Sequence, residues 1–229
     1  MDTIKNYLES NNINLSTNFY RELLKNNSNE INKFKYLSNF NNFKIKLYNE
    51  KISDISIFKN CRELIIINCK NIIDISMLGK VKKLIISECN GINDVSELGN
   101  IEELYIYLCK NIKDVSKLGN VKKLTLSHCY GIKDVSMLGN CEELDLTFCY
   151  QINDFNMLGN VKKLNLTGTN IKDVSMLDKV KKLNLSQCIR ITDVSMLGNC
   201  EELDLTYCDN ISDFSMLDKV NKLNLSQCI

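Results

Sequence analysis

The chain has 229 residues, with 29 basic and 28 acidic side chains and a formal charge of +1. That balance argues against a general binder of nucleic acid or of anionic membranes, which needs a basic surface. The sequence has neither a run of 18 apolar residues nor a basic, apolar leader, so no membrane span and no secretory signal are expected.

Eleven cysteines would suit a small disulfide-stapled secreted domain, but here the number is odd and the chain is large. Reduced thiols in a reducing, cytoplasmic compartment are the expectation. Heavy use of Asn, Ile and Lys, with Pro and Trp absent, reads as the codon bias of an AT-rich genome.

Residues 1–40 share no pattern with the rest of the chain. Ile4, Tyr7 and Leu8 are spaced for one face of a short helix. Phe19, Tyr20, Leu23 and Leu24 suggest a second, capped by Ser16, Thr17 or Asn18, and Ile31, Phe34 and Leu37 a third. This segment is expected to be a helical cap, because the first unit of a repeat stack would otherwise expose its core.

From residue 41 to 229 the sequence repeats, about ten times at a period of 19 or 20. Val81 to Asn100, VKKLIISECNGINDVSELGN, is typical. A Leu-x-Leu or Leu-x-Ile core recurs from 64–66 to 223–225, and Ile45-Lys46-Leu47 is an irregular first copy. Each copy predicts one short strand, pairing in parallel with the next about 4.8 Å away. Identical slots then stack, so Val81, Leu84, Ile86, Cys89, Ile92, Val95 and Leu98 begin seven inward columns that only neighbouring copies can bury. Glycines such as Gly79, Gly99 and Gly139 are expected at positive φ where the chain turns back, with Asp178 and Asp218 as tolerated substitutes. Residues 141–168 and 200–227 are near copies, which points to duplication of a three-repeat block.

The template L-x-x-L-x-L-x-x-C-x-x-I-x-D resembles the cysteine-containing leucine-rich repeats, and I-x-D-V-S-x-L-G-N resembles those of internalins. The resemblance covers about 185 residues of the 229. It implies a right-handed leucine-rich-repeat solenoid with its parallel sheet on the concave face. These repeats lack the segment that forms a helix in longer types, so turns and extended chain are expected on the convex side. The family is an architecture with many roles; one histidine, no phosphate loop and no Ser-His-Asp or Cys-His constellation argue against catalysis, and binding of a protein partner through the concave sheet is the expectation. F-boxes often precede such repeats, which makes 1–40 a degenerate F-box of a ubiquitin-ligase adaptor in an alternative reading, although the expected Leu-Pro start and Trp are missing. A product of repeat expansion with no specific activity is a third.

The constant polar slots have structural explanations. Cys69, Cys89, Cys109, Cys129, Cys149, Cys188, Cys208 and Cys228 form one column, with Thr169 in the remaining place. With one histidine and no C-x-x-C, the ligand set for metal is poor, and the column reads as buried thiols bonded weakly to backbone. The Asp column, from Asp54 to Asp213, is followed two residues later by Ser or Asn, a pattern that suits side-chain bonds to backbone N–H groups in turns. No cofactor is implied. Charged pairs before each strand alternate in sign, as in Lys82-Lys83 and Glu102-Glu103, and predict a self-neutralised ladder. Lys162, Lys163, Lys181 and Lys182 are the exception.

Partner information is left to the outward slots. Ile65, Ile67, Ile85, Tyr105 and Tyr107 place an apolar and aromatic patch on the N-terminal copies, whereas later copies are polar. Leu108, His128, Tyr130, Phe148 and Tyr150 are expected to extend it at the strand ends. The last strand, with Leu223 and Leu225, is expected to offer an edge through which two copies could pair end to end.

Overall fold

The computed structural model describes residues 44–49 and 51–228. The helices expected in 1–40, and with them the choice between cap and F-box-like segment, lie outside the described residues. The remainder is one parallel ten-stranded sheet in simple sequence order. Its strands are β1 (Lys44–Tyr48), β2 (Glu63–Ile67), β3 (Lys83–Ser87), β4 (Glu103–Tyr107) and β5 (Lys123–Ser127), then β6 (Glu143–Asp145), β7 (Lys163–Asn165), β8 (Lys182–Asn184), β9 (Glu202–Asp204) and β10 (Lys222–Asn224). Each return path carries one three-residue 3-10 turn, such as Ser96–Leu98, and no α-helix occurs among the described residues.

Register follows the template. Leu64 pairs with Leu84, Leu84 with Leu104, and so on to Leu203 with Leu223. The seven inward columns fill the space between sheet and turns, and Val81 to Leu98 in these slots are all 2% exposed or less. Each buried aliphatic side chain contributes about 1.5–3 kcal/mol relative to leaving it in water. No copy buries its slots alone, so the stack is held by nearest-neighbour contacts. Leu223 on β10 is 37% exposed against 2% for Leu203 one strand inward.

The turn glycines do not adopt the expected conformation. Gly79, Gly99 and Gly139 are right-handed, at φ −60°, −61° and −63°. Their reason is close approach. A Cβ would stand 2.5 Å from the Glu97 carbonyl oxygen at Gly79, and 2.2 Å from that of Met157 at Gly139. Asp178 and Asp218 are likewise right-handed at φ −59°, and nothing in the structure explains the Asp at 178.

Positive φ falls instead on one slot after each strand, the next residue in β2–β5 and the third residue on in β6–β9. Asn68, Glu88, Leu108, His128, Phe148, Gly168, Gln187 and Tyr207 all lie between 52° and 65°. For a non-glycine residue this costs on the order of 1 kcal/mol or more. The neighbouring copy holds it in place: His128 N–H donates to Thr147 O at 2.8 Å, and Phe148 N–H to Thr167 O at 2.9 Å.

Candidate interaction surface

Strand alternation decides which side chains leave the core. In β2–β4 the burial pattern alternates, with Ile65, Ile67, Ile85, Tyr105 and Tyr107 half-buried on the outward face. Ile65, Ile85 and Tyr105 are register partners and form one unbroken row, which continues to Thr125. Ile67 is separated from Tyr107 by Ser87. The Lys83 ammonium lies 5.3 Å from the Tyr105 ring centre, and the Tyr105 hydroxyl donates to Glu103 Oε2 at 3.2 Å. Burial, then the Glu103 charge, pushes the Tyr105 phenol up to about 12. Tyr107 is raised too, by burial first and the Asp145 charge second. Both phenols are therefore neutral donors at physiological pH. Beside them Thr125 and Ser127 are buried although they sit on the outward face.

The second group stands at the strand ends. Left-handed backbone at 108, 128 and 148 turns these side chains out of the strand pleat. His128 and Phe148 rings are 4.8 Å apart, Tyr130 and Tyr150 stack at 5.8 Å with 12° between planes, and Phe148 meets Tyr150 at 5.8 Å. Ser127 Oγ lies 2.8 Å from His128 Nδ1, tying this rim to the strand face. Gly168 completes it: at φ 65°, a Cβ there would fall 2.2 Å from the Phe148 ring. Tyr150 and Leu108 are exposed, Tyr130 and Phe148 half-buried. The expected residues thus form a strand-face row and a rim cluster, joined through Ser127 and His128.

Beyond β5 the outward face changes character. Asp145, Asn165, Asn184, Asp204 and Asn224 occupy the slot held by Ile85 and Tyr105 in the earlier copies. Each Oδ1 accepts from the residue two further on. Asn165 takes the Thr167 N–H at 3.0 Å and its hydroxyl at 2.6 Å, and Asn184 takes those of Ser186 at 2.8 and 2.6 Å. A shallow groove of about 580 Å³ runs over this half, from Tyr105 to Asn224. The Asp-x-Thr and Asn-x-Thr or -Ser spacing was its signal in the sequence, the same spacing that marks the turns.

The paired charges line the groove's edge and largely cancel. Lys163 lies 2.8 Å from Glu143, Lys182 2.7 Å from Glu202, and Lys222 2.9 Å from Glu202. Lys163 and Lys182 are register neighbours of like charge, and each turns to a glutamate on its other side.

The constant polar slots are occupied internally. In the Asp column the Oδ1 of Asp74, Asp94 and Asp134 accepts the N–H of Ser76, Ser96 and Ser136 at 2.9 Å. That backbone bond, then the serine hydroxyl, holds these carboxyls below the usual range. In the cysteine column Cys149 Sγ lies 2.9 Å from Leu126 O, and Cys188 and Cys208 make like contacts at 3.1 Å. Those thiols reach the strand of the preceding copy, whereas Thr169 stays within its own, its hydroxyl donating to Leu166 O at 2.8 Å. Burial pushes the Cys109, Cys149 and Cys208 thiols up to about 12, which leaves them protonated and weakly nucleophilic.

No protein-family model and no curated protein sequence matches the chain. Solved structures do. The leucine-rich repeat domain of the type III effector XopL matches over 97% of this chain and 80% of its own, at 15% identity and TM-score 0.56. TLR13 in a complex with ssRNA13 matches over 82% of this chain and 32% of its own, at 21% identity and TM-score 0.61. An internalin C2 from Listeria monocytogenes matches over 66% and 74%, at 21% identity and TM-score 0.50. Together with the ten-stranded parallel sheet and its constant columns, these likenesses identify the fold: the chain is a solenoid of leucine-rich repeats.

Proposed function

We propose that this chain is a non-enzymatic scaffold that binds a protein partner through the outward face of β2–β5 and the adjoining rim. The observation that carries this reading is the division between slots. Constant positions satisfy one another inside the stack, while the outward positions differ from copy to copy and gather apolar and aromatic side chains on one stretch. Tyr105, Tyr107, Tyr130 and Tyr150 offer large, half-exposed surfaces with polar tips, the composition that dominates contact energy at protein interfaces. TLR13, which shares the fold, has been seen holding RNA. Here the paired lysines and glutamates leave the outer face close to neutral, which favours a protein over a polyanion.

The test places a photo-crosslinking residue at 105, 107 or 130 and, as a control, at 224, in the full chain expressed in its host cell. Crosslinks to one protein from the first three sites and none from 224 are expected. The pair Tyr105→Asp and Tyr107→Asp should abolish capture without moving the thermal midpoint by more than a few degrees. Crosslinks of equal strength from 224 would move the interface to the polar groove and overturn the assignment.

A further inference from the structure

A second surface lies on the row of 3-10 turns. The chain has seven methionines, and six of them occupy a single slot, the middle of the turn: Met77, Met137, Met157, Met176, Met196 and Met216. The seventh is Met1. Filling irregular gaps in cores is the common use of methionine, yet the fully buried columns of this solenoid are Leu, Ile, Val, Cys and Phe. The last five of the six are consecutive and lie between 49% and 61% exposed. The fold does not require them. Glu97 and Lys117 fill the same slot in turns of the same geometry, with preceding residues at φ −126° and −121° against −126° before Met137.

We propose that these five thioethers form a binding row for Cu(I). Successive turns stack in backbone contact, since a Cβ at Gly139 or Gly159 would stand 2.2 Å from the Met157 or Met176 carbonyl oxygen. Neighbouring methionines are therefore one solenoid step apart, roughly 5 Å, close enough for two or more of these long, flexible side chains to converge on one ion. Thioether sulfur is a soft ligand that selects Cu(I) over the hard divalent cations. The furrows between turns carry charge that suits a monovalent ion: Asp134 and Asp154 line one with Met157, and Lys133 offsets part of their charge. The chain's other soft ligands are less accessible, because the column thiols are buried and burial holds Cys109 and Cys149 protonated.

The experiment uses Ag(I), an air-stable probe of the same softness, titrated into the full chain carrying Cys228→Ser to remove the partly exposed thiol. The methionine methyl NMR signals report where the ion sits, and competition with a chromophoric chelator reports affinity. Two variants each keep three of the five methionines. Met137→Leu with Met216→Leu leaves three adjacent, whereas Met157→Leu with Met196→Leu leaves three separated by about two steps, roughly 10 Å. Leucine is close in volume and the sites are exposed, so both variants should fold as the parent does. The adjacent set is expected to retain binding within a few fold and the separated set to lose about tenfold or more. Equal affinity in the two variants, or silver shifts confined to cysteines, would overturn the proposal.

Discussion

Strands β2–β5 and β6–β10 share one core and differ in the face they turn outward. Both halves bury the same Leu columns, and both place a left-handed residue after the strand. The first half keeps five-residue strands and covers its outward slots with Ile65, Ile85 and Tyr105. The second half ends each strand at an Asp or Asn whose side chain takes the next available N–H, so the assigned strands shorten to three residues. Inward slots and turns alone therefore meet the demands of folding. The outward slots are free, and the two halves use that freedom in opposite ways. A polar face that bonds to itself has little left to offer, while an apolar face gains by being covered.

The largest effects should be blind to this division. Leu84→Ala and Leu164→Ala each empty a fully buried slot between two neighbours. Each should cost about 2–5 kcal/mol in urea unfolding, and by similar amounts in the two halves. Leu223→Ala, at the exposed edge, should cost clearly less. A mild Leu164→Ala would mean that the polar ladder, and not the core, holds the second half.

Intermediate effects should separate the halves. Asn165→Ala removes the acceptor of the Thr167 N–H and leaves the Thr167 hydroxyl with Asn184 Oδ1, at 3.1 Å, as its remaining partner. The expected loss is about 1–3 kcal/mol. Ile85→Ala in the equivalent slot of the first half removes half-exposed apolar surface with no polar partner, and should cost about 1 kcal/mol or less. Denaturant midpoints for the two single variants decide it, and equal shifts would erase the distinction.

Much of this was legible in the sequence, because a repeat states each constraint about ten times. Register, the inward columns, the Asp-x-Ser turns and the alternating charge pairs all follow from period and residue type. The left-handed slot did not show, since its occupants run through Asn, Glu, Leu, His, Phe, Gly, Gln and Tyr and share no side-chain property. Gly139 misled for a related reason: glycine marks either a positive φ or a close approach, and only the Met157 carbonyl shows which. Single outward residues were readable, but the junction between Tyr107 and His128 through Ser127 depends on register and backbone twist together.

The smallest expected effect tests how the ladder is held. Asp204 stands in a column with Asn165, Asn184 and Asn224 and makes the same turn, its Oδ1 taking the Thr206 N–H at 2.9 Å. Burial pushes this carboxyl up, but hydrogen bonds from Thr206 and its neighbours outweigh that and hold it below its ordinary 3.8. A carboxyl lowered on folding adds stability above its unfolded value, and that stability is lost as pH falls through the folded one. The turn aspartates of both halves, Asp94 and Asp193 among them, are lowered as well, so acid should weaken the whole solenoid. Asp204→Asn isolates the ladder's share, because an amide keeps the acceptor and does not titrate. Wild type should exceed the variant in urea midpoint at pH 6, and the gap should narrow below about pH 4 as Asp204 takes up its proton. A gap that stays constant down to pH 2.5 would mean that the ionised form is not preferred, and that Asp204 holds its turn by acceptor geometry alone, as the asparagines do.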